Sequence, residues 1–223
     1  MQPYHKIQTI FKRDPSTKHK SLLEGEYSLP EFEYLADNTW TFTEKIDGTN
    51  IRVMLQDGKV TFGGKTDSAQ IPSQLVSALE SKFLHQAGRM QEIFGGDACL
   101  YGEGYGAKIQ KGGGNYRQDQ GFILFDVKVG RWWLKREDVE DVAYKLVLGV
   151  VPVIGEGTLH DMVCLVRRGL LSNLGSFNAE GIVARPQIEL LTRGGDRVIT
   201  KIKTKDFGIG WLRYPSGMPP EIK

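Results

Sequence analysis

The stretch TFTEKIDGTNIRVMLQDGKVTFGGKT, residues 41–66, contains two Asp-Gly pairs within a pattern of alternating polar and apolar residues. Asp-Gly between alternating apolar residues is a strong signal for a two-residue β-hairpin turn. The second pair, Asp57-Gly58, fits this pattern, and the sequence predicts a hairpin there. The first pair, Asp47-Gly48, comes just after Lys45. It is either another hairpin beside a surface lysine or a turn that places the lysine for chemistry.

Length and composition are those of a protein that can bury a substantial core. The 223 residues are 40% hydrophobic and 25% charged, with a formal net charge of +2, so bulk charge alone would not bind nucleic acid. The longest nearly apolar run, residues 146–155, is too short to span a bilayer, and the N-terminus lacks a signal peptide's apolar segment. The 2 cysteines and 4 scattered histidines form neither a disulfide framework nor a zinc site. We therefore expect a reduced, cytoplasmic enzyme or binding protein without a membrane partner.

Hydrophobic periodicity predicts an α+β fold. Helices are predicted over residues 73–94, 134–148 and 158–168, the first ended by a Gly-Gly pair and the last begun by Thr158 as N-cap. Strands are predicted at residues 40–53, 60–62, 99–106, 121–129, 180–186 and 197–205. Since no repeat, low-complexity segment or composition shift marks a linker, the sequence predicts one α+β domain over residues 1–223.

A segment rich in lysine lies near the C-terminus. In RVITKIKTK, residues 197–205, the three lysines Lys201, Lys203 and Lys205 recur at the strand period, which predicts that they share one face. Either an exposed edge strand carries them as protection against aggregation, or a polyphosphate offsets their repulsion. If Lys45 is placed for chemistry, it could act as a nucleophile toward phosphorus. Such an attack requires the neutral amine, whereas the reference pKa of lysine is about 10.4. Nearby cations would favour that neutral form of Lys45.

Five segments form an ordered set: EKIDGTN (44–50), YGEGYG (101–106), FILFDV (122–127), EGIVAR (180–185) and KIKTKDF (201–207). In order and spacing this set resembles the motifs of the lysyl-nucleotidyltransferases, which are the ATP-dependent DNA and RNA ligases and the mRNA-capping enzymes. The first, fourth and fifth segments resemble most the branch of RNA ligase 2 and the RNA-editing ligases. The resemblance implies an ATP-grasp-like nucleotidyltransferase domain of antiparallel sheets flanked by helices. Its motif-bearing core would span residues 40–207, with no separate C-terminal domain.

The resemblance also implies a role for each motif residue. Lys45 matches the nucleophile that takes AMP from ATP, and Lys201 and Lys203 match the pair that grips the α-phosphate. Glu180 matches a carboxylate that holds the catalytic metal through water, since Mg²⁺ prefers to stay hydrated. The remaining matches lie at nucleotide-binding positions: Glu44, by its backbone near adenine; Asp47, which orients the lysine or shapes the turn; Asn50, near the α-phosphate; Lys65, where relatives carry an arginine; Glu103, on the ribose; and Phe125, stacked on adenine.

Without the motif order, several of these residues have ordinary interpretations. Glu103 would be a strand-end glutamate, Phe125 a core aromatic residue and Lys45 a surface lysine. The glycine-rich segment KGGGNY, residues 111–116, would either contact phosphates through backbone N–H groups or form a plain surface loop. Only residues 208–223 follow the last motif. Their two large aromatic residues, Trp211 and Tyr214, are candidates for packing on the domain or for stacking on bases.

The implied activity is that of an ATP-dependent RNA ligase, which joins 3′-hydroxyl and 5′-phosphate ends through lysyl-AMP and an adenylylated 5′ end. The implied cofactors are ATP and Mg²⁺, with Mn²⁺ as an alternative. The implied partners are RNA ends or a nicked duplex, together with an accessory nucleic-acid-binding protein. The alternatives are a nick-joining DNA ligase, a capping guanylyltransferase and a non-catalytic nucleic-acid-binding relative. The last is disfavoured because the lysines and both motif glutamates are present together.

Overall fold

The computed structural model describes residues 2–207. The predicted contacts of Trp211 and Tyr214 therefore lie outside the described residues. By their contacts the described residues form two compact units, of which the first contains residues 2–6 and 46–152 and the second the remainder. The single domain expected over residues 1–223 stays a prediction. Among the helices described, none is both long enough and apolar enough to cross a membrane.

The secondary structure of the described residues is mixed. The strands are, in chain order, β1 (Gln8–Thr9), β2 (Phe11–Arg13), β3 (Leu22–Tyr27), β4 (Trp40–Lys45), β5 (Thr49–Gln56), β6 (Lys59–Gly63), β7 (Ala98–Gly106), β8 (Gln120–Val129), β9 (Trp132–Trp133), β10 (Gly149–Val150), β11 (Val153–Gly157), β12 (Gly181–Pro186) and β13 (Thr200–Lys203). The α-helices are α1 (Pro30–Tyr34), α2 (Ser73–Phe83), α3 (Ala87–Phe94), α4 (Arg136–Leu146) and α5 (Leu159–Arg167). Single 3-10 turns lie at Pro15–Thr17, Leu84–Gln86, Gly113–Asn115 and Thr204–Phe207. This is the α+β class that the sequence predicts.

The second unit is built on a five-stranded sheet in the order β1-β13-β12-β4-β11, and β2 and β3 form a separate pair. All its pairings are antiparallel except that of β1 with β13. Trp40 and Phe42 of β4 are fully buried in a core that α1 and α5 complete. Because successive strand residues point to opposite faces, Lys45 lies on the face away from that core.

The N-cap predicted at Thr158 is confirmed, and Asp161 completes a capping box with it. Thr158 Oγ1 accepts a hydrogen bond from the backbone N–H of Asp161 at 3.1 Å, and the Asp161 carboxylate accepts one from the N–H of Thr158 at 2.9 Å. These two bonds satisfy N–H groups that have no partner within the helix. They fix where α5 begins.

The first unit is built on a six-stranded sheet in the order β10-β8-β7-β5-β6, with β9 added beside β8. Helices α2, α3 and α4 supply side chains to its core on one face of the sheet. The hairpin predicted at Asp57-Gly58 is confirmed: it joins β5 to β6, and its two residues have φ of 47° and 71°. Positive φ at both positions is the type I′ geometry that Asp-Gly favours.

Two segments that were predicted as single elements are each divided in the structure. The strand expected over residues 40–53 is two strands, β4 and β5, and these belong to different sheets. The Asp47-Gly48 pair between them is therefore not a hairpin turn. The helix expected over residues 73–94 is divided into α2 and α3 by a 3-10 turn. At this turn the largely buried side chain of Gln86 donates to the carbonyl oxygen of Lys82 at 2.8 Å, and this side-chain bond stabilises the break.

Candidate active site

Three motif segments lie side by side in the sheet of the second unit. Gly181, on β12, pairs with Lys45 on β4 and with Lys203 on β13. Residues paired across neighbouring strands point to the same face, so both lysines project from the face away from the core. A Cβ atom at Gly181 would lie 2.0 Å from the carbonyl oxygen of Ile202. Glycine is therefore required for β12 and β13 to approach this closely.

The carboxylate of Glu180 bridges the two lysines. Its Oε2 lies 2.7 Å from Nζ of Lys45, and its Oε1 lies 2.5 Å from Nζ of Lys203. The three side chains, which we call the lysine–glutamate cluster, are 19%, 12% and 21% exposed for Lys45, Glu180 and Lys203. Burial raises the pKa of Glu180, but the charge of Lys45 and hydrogen bonds from both lysines outweigh burial and hold the pKa below its usual value. The carboxylate is therefore ionised at neutral pH.

The lysine strand is shorter than predicted. Strand β13 ends at Lys203, and the next residues form a 3-10 turn in which Lys205 is exposed. The prediction that three lysines share one strand face is therefore wrong for Lys205, while Lys201 and Lys203 do lie on one face. At the strand end Asp206, in the 3-10 turn, accepts a hydrogen bond from the N–H of Lys203 at 3.0 Å, while the N–H of Thr204 still donates to the Glu180 carbonyl of the neighbouring segment at 2.9 Å.

The side chain of Glu44, to which the motif resemblance assigns no role, is buried, and both of its carboxylate oxygens are hydrogen-bonded. It is 2% exposed. Its carboxylate accepts hydrogen bonds from the hydroxyl of Ser172 at 2.5 Å and from the N–H of Asn173 at 2.8 Å. These bonds attach Glu44, which directly precedes Lys45, to the loop that leads to Glu180. The available sequence signal was that Glu44 continues the buried alternation of Trp40 and Phe42, where a charged residue needs partners.

In the first unit, Asn50 and Glu103 are paired directly across β5 and β7. They lie on the face opposite the core, because their strand neighbours such as Ile51 belong to the core. The Oδ1 atom of Asn50 is buried and has no hydrogen-bond partner among the described residues. Buried polar atoms are nearly always paired, so this atom is suited to receiving a bond from a ligand.

Phe125 lies at an irregularity in the same sheet. Tyr101 pairs with Asp126 and Gly102 pairs with Leu124, which leaves Phe125 as the additional residue of a β-bulge. Its ring meets that of Tyr4 edge-on, with centroids 5.1 Å apart. The hydroxyl of Tyr4 also donates to the buried carboxylate of Asp126 at 2.7 Å. The motif analysis missed Tyr4, because an isolated tyrosine near the N-terminus gives no local indication of this contact.

The turn after the nucleophile is held by the glycine-rich loop. The N–H of Asp47 donates to the hydroxyl of Tyr116 at 3.2 Å, and the side-chain amide of Gln110 donates to the carbonyl of Gly48 at 3.0 Å. A Cβ atom at Gly48 would lie 2.3 Å from the carbonyl oxygen of Gly104. The loop is therefore fixed against this turn rather than being a plain surface loop. Lys65 is exposed in the loop that follows β6.

The sequence profile of the RNA ligase family matches residues 38–203. This region includes Lys45, Glu180 and Lys203. The chain therefore belongs to the RNA ligase family. The resemblance found in the ordered motifs is confirmed at this level, and its assignment to the branch of RNA ligase 2 and RNA-editing ligases stays a prediction. A comparison with curated protein sequences gave no significant match.

Solved structures of Naegleria gruberi RNA ligase share the fold. A variant with ATP and Mn has a TM-score of 0.62 at 17% identity, over 79% of this chain and 54% of that chain. A variant without ligand gives 0.63 at 15% identity, over 90% and 57% of the two chains. The enzyme with pyrophosphate gives 0.62 at 17% identity, over 80% and 53%. The chain thus spans little more than half the length of these ligases. The likeness confirms the predicted fold.

Proposed function

We propose that this chain catalyses ATP-dependent RNA ligation and joins 3′-hydroxyl and 5′-phosphate ends. The observation that carries the proposal is the lysine–glutamate cluster. It holds the amine of Lys45 beside a second cation, on strands within the region that defines the family. An amine and neighbouring cations on one sheet face are suited to attack on a phosphate group. Structures of similar ligases were determined with ATP and Mn and with pyrophosphate, which supports a reaction with ATP that releases pyrophosphate here.

In the first step, Nζ of Lys45 attacks the α-phosphorus of ATP. A P–N bond forms, the bond from the α-phosphorus to the bridging oxygen breaks, and pyrophosphate leaves. The attack requires the neutral amine, so the ammonium proton passes to solvent beforehand. Lys201 and Lys203, on the same face of β13, stabilise the negative charge on the α-phosphate oxygens. Positioning and electrostatic stabilisation supply nearly all the catalysis in phosphoryl transfer.

A divalent metal fits the cluster through Glu180. No group of three or more His, Cys, Asp or Glu that could enclose a metal ion occurs within residues 2–207. Mg²⁺ usually keeps several waters and uses one or two carboxylates plus substrate phosphates. A single ionised carboxylate beside the phosphate-binding lysines matches that preference, and Mn²⁺ accepts the same oxygen ligands. When bound, the metal would neutralise phosphate charge.

The second step consumes the lysyl-AMP, and the third step consumes the adenylylated end that the second step forms. The 5′-phosphate of an RNA end attacks the adenylate, which breaks the P–N bond and forms a 5′–5′ pyrophosphate link. A 3′-hydroxyl then attacks the activated phosphate, which forms the phosphodiester bond and releases AMP. We assign nucleotide binding to the backbone of Glu44 and to Asp47, Asn50, Lys65, Glu103 and Phe125. The unpaired acceptor atom of Asn50 supports this assignment. RNA ends or a nicked duplex are the proposed substrates, and an accessory binding protein and a cytoplasmic location stay predictions.

Labelling with α-labelled ATP or GTP tests the proposal. Wild-type protein should retain AMP covalently, and Lys45→Ala should retain none, because the attacking amine is lost. Lys59→Ala, an exposed lysine at the start of β6, is the matched control and should label like wild type. A lasting GMP adduct without an AMP adduct would identify a guanylyltransferase. Undiminished labelling of Lys45→Ala would show that the nucleophile is another residue.

A panel of end-joining substrates then tests the substrate class. With ATP and Mg²⁺, we expect joining at RNA 3′-hydroxyl ends, either in nicked duplexes or in single strands. Joining only at DNA 3′-hydroxyl ends would replace the proposal with a DNA ligase. A wild-type protein that neither labels nor joins would be a non-catalytic relative.

A further inference from the structure

Asp206 is a buried carboxylate with both oxygens engaged. Its side chain is 1% exposed, and it lies in the 3-10 turn directly after β13. Oδ2 accepts a hydrogen bond from the backbone N–H of Lys203 at 3.0 Å. Oδ1 accepts one from Nη2 of Arg13, also at 3.0 Å. A single carboxylate thus links a proposed phosphate-binding lysine to an arginine near the N-terminus.

The segment before Arg13 also lies along the lysine strand. Strand β1 pairs with β13 in parallel, with Thr9 beside Lys201, and the N–H of Ile10 donates to the carbonyl of Lys201 at 3.0 Å. Arg13 itself makes a second bond, from Nη1 to the carbonyl of His19 at 3.2 Å, which fixes its guanidinium within the turn that joins β2 and β3. The edge of β13 that faces away from β12 is therefore bonded to the N-terminal segment as far as Lys201. Asp206 then accepts a hydrogen bond from the N–H of Lys203 on the same edge.

We propose that Arg13 and Asp206 are positioning residues for adenylyl transfer. Asp206 fixes the backbone of Lys203 at the end of its strand, and Arg13 fixes Asp206. The inference rests on the proposed function. Both residues lie outside residues 38–203, the region that the family profile matches. Among the contacts described, neither side chain meets the side chain of Lys45 or of Glu180.

The physical reason is that β1 pairs with β13 only as far as Lys201, so at Lys203 the strand is paired with β12 on one side and depends on Asp206 on the other. Without Arg13, the buried carboxylate of Asp206 loses its cation, and an uncompensated buried charge moves toward water or rearranges. The N–H of Lys203 then loses its acceptor, and the ammonium group shifts from the α-phosphate. Misplacement of about 1 Å can cost roughly 100-fold in rate.

The test compares Arg13→Gln, Asp206→Asn and Asp206→Ala with Lys12→Ala. Lys12 is the matched control, since it neighbours Arg13 on β2 but makes only an exposed ion pair with Glu26. The measurements are the single-turnover rate of protein–AMP formation at saturating ATP and the apparent KM for ATP, each corrected for the folded fraction. Arg13→Gln and Asp206→Ala should lower the rate about 10-fold or more, with a smaller change in KM. Asp206→Asn keeps an oxygen acceptor and should retain more activity, and Lys12→Ala should match wild type.

A second measurement asks whether the effect passes through Lys203. Binding of the non-reactive analogue α,β-methylene-ATP is compared for Arg13→Gln alone, Lys203→Ala alone and the double variant. We expect the double variant to bind no more weakly than Lys203→Ala, because the positioned group is already absent. Fully additive losses would overturn the inference, as would unchanged rates for folded Arg13→Gln and Asp206→Ala. Failure of both Arg13→Gln and Asp206→Asn to fold would show a role in folding rather than positioning. A wild-type protein without any protein–AMP would overturn the proposed function itself.

Discussion

At the scale of single residues, the decisive feature is one carboxylate shared by two ammonium groups. Glu180 is largely buried, yet its pKa is lowered, because the charge of Lys45 and hydrogen bonds from both lysines exceed the effect of burial. Two cations and one anion leave the cluster with one net positive charge. Such a cluster attracts the oxygens of a phosphate group, which suits the proposed adenylyl transfer.

Glu180→Gln should lower the free energy of unfolding at pH 7 by about 1–3 kcal/mol, because hydrogen bonds to a charged group are lost. Glu180 has a folded-state pKa below the 4.5 of an unperturbed glutamate. Its ionisation therefore stabilises the folded state above that pH, and this contribution is lost as the pH falls through the folded-state pKa. Urea unfolding of wild type and variant should show a difference that shrinks below about pH 4.5.

The exposed Glu156, on β11 of the same sheet, provides the baseline, since Glu156→Gln removes a carboxylate without removing a lysine bridge. A difference between wild type and Glu180→Gln that stayed constant down to pH 3 would contradict the bridged arrangement.

At the scale of elements, the end of α4 carries a strained residue. Val147, the C-cap of this helix, has φ of 54° and ψ of 51°, and its N–H donates to the carbonyls of Ala143 and Tyr144. This left-handed conformation is the usual way to end a helix, but glycine normally occupies it. A β-branched side chain there collides with its own backbone at a cost of roughly 1–2 kcal/mol. Val147 is 72% exposed, so little burial offsets that cost.

Val147→Gly should therefore raise the free energy of unfolding by roughly 1 kcal/mol, which is the relieved strain less the extra chain entropy of glycine in the unfolded state. Chemical denaturation measures the change. Val153→Gly is the matched control, because Val153 is also exposed but lies in strand β11. There glycine should destabilise the protein by roughly 0.5–1 kcal/mol. A destabilising Val147→Gly would mean that the side chain contributes more through contacts than it costs in strain.

At the scale of the whole molecule, each of the two compact units has its own sheet and its own buried core. In the first unit β7 lies between β5 and β8, and in the second unit β12 lies between β4 and β13. A strand bonded on both sides exposes its amides only when the surrounding sheet opens. The segment 187–197 contrasts with both strands, since it includes Ile188 and Leu191, which are 76% and 61% exposed.

Native-state hydrogen exchange should therefore find the slowest amides in β7 and in β12, with amides of residues 187–197 exchanging much faster. Mass spectrometry of peptides, or NMR, resolves these segments. Exchange throughout the sheet of either unit at the rate of residues 187–197 would contradict an independent core in that unit.

The sequence by itself determined the features that arise within a few neighbouring residues. Asp57-Gly58 specifies its turn because both residues tolerate positive φ, and Thr158 with Asp161 specifies the start of α5 through bonds three residues apart. The ordered motifs also identified the family, and they named Lys45, Glu180 and Lys203 before any contact was known. Patterns of this kind are local, so they can be recognised without knowing which segments meet.

Only the tertiary structure decided which distant residues meet. The bond between Lys45 and Glu180 joins residues 135 positions apart, and that between Arg13 and Asp206 joins residues 193 apart. The burial of Glu44 beside Ser172 and the division of residues 40–53 between two sheets follow from the same long-range packing. A strand pattern specifies which side chains share a face but not which strand lies beside it. For that reason the lysine–glutamate cluster and its support at Asp206 became visible only in the folded chain.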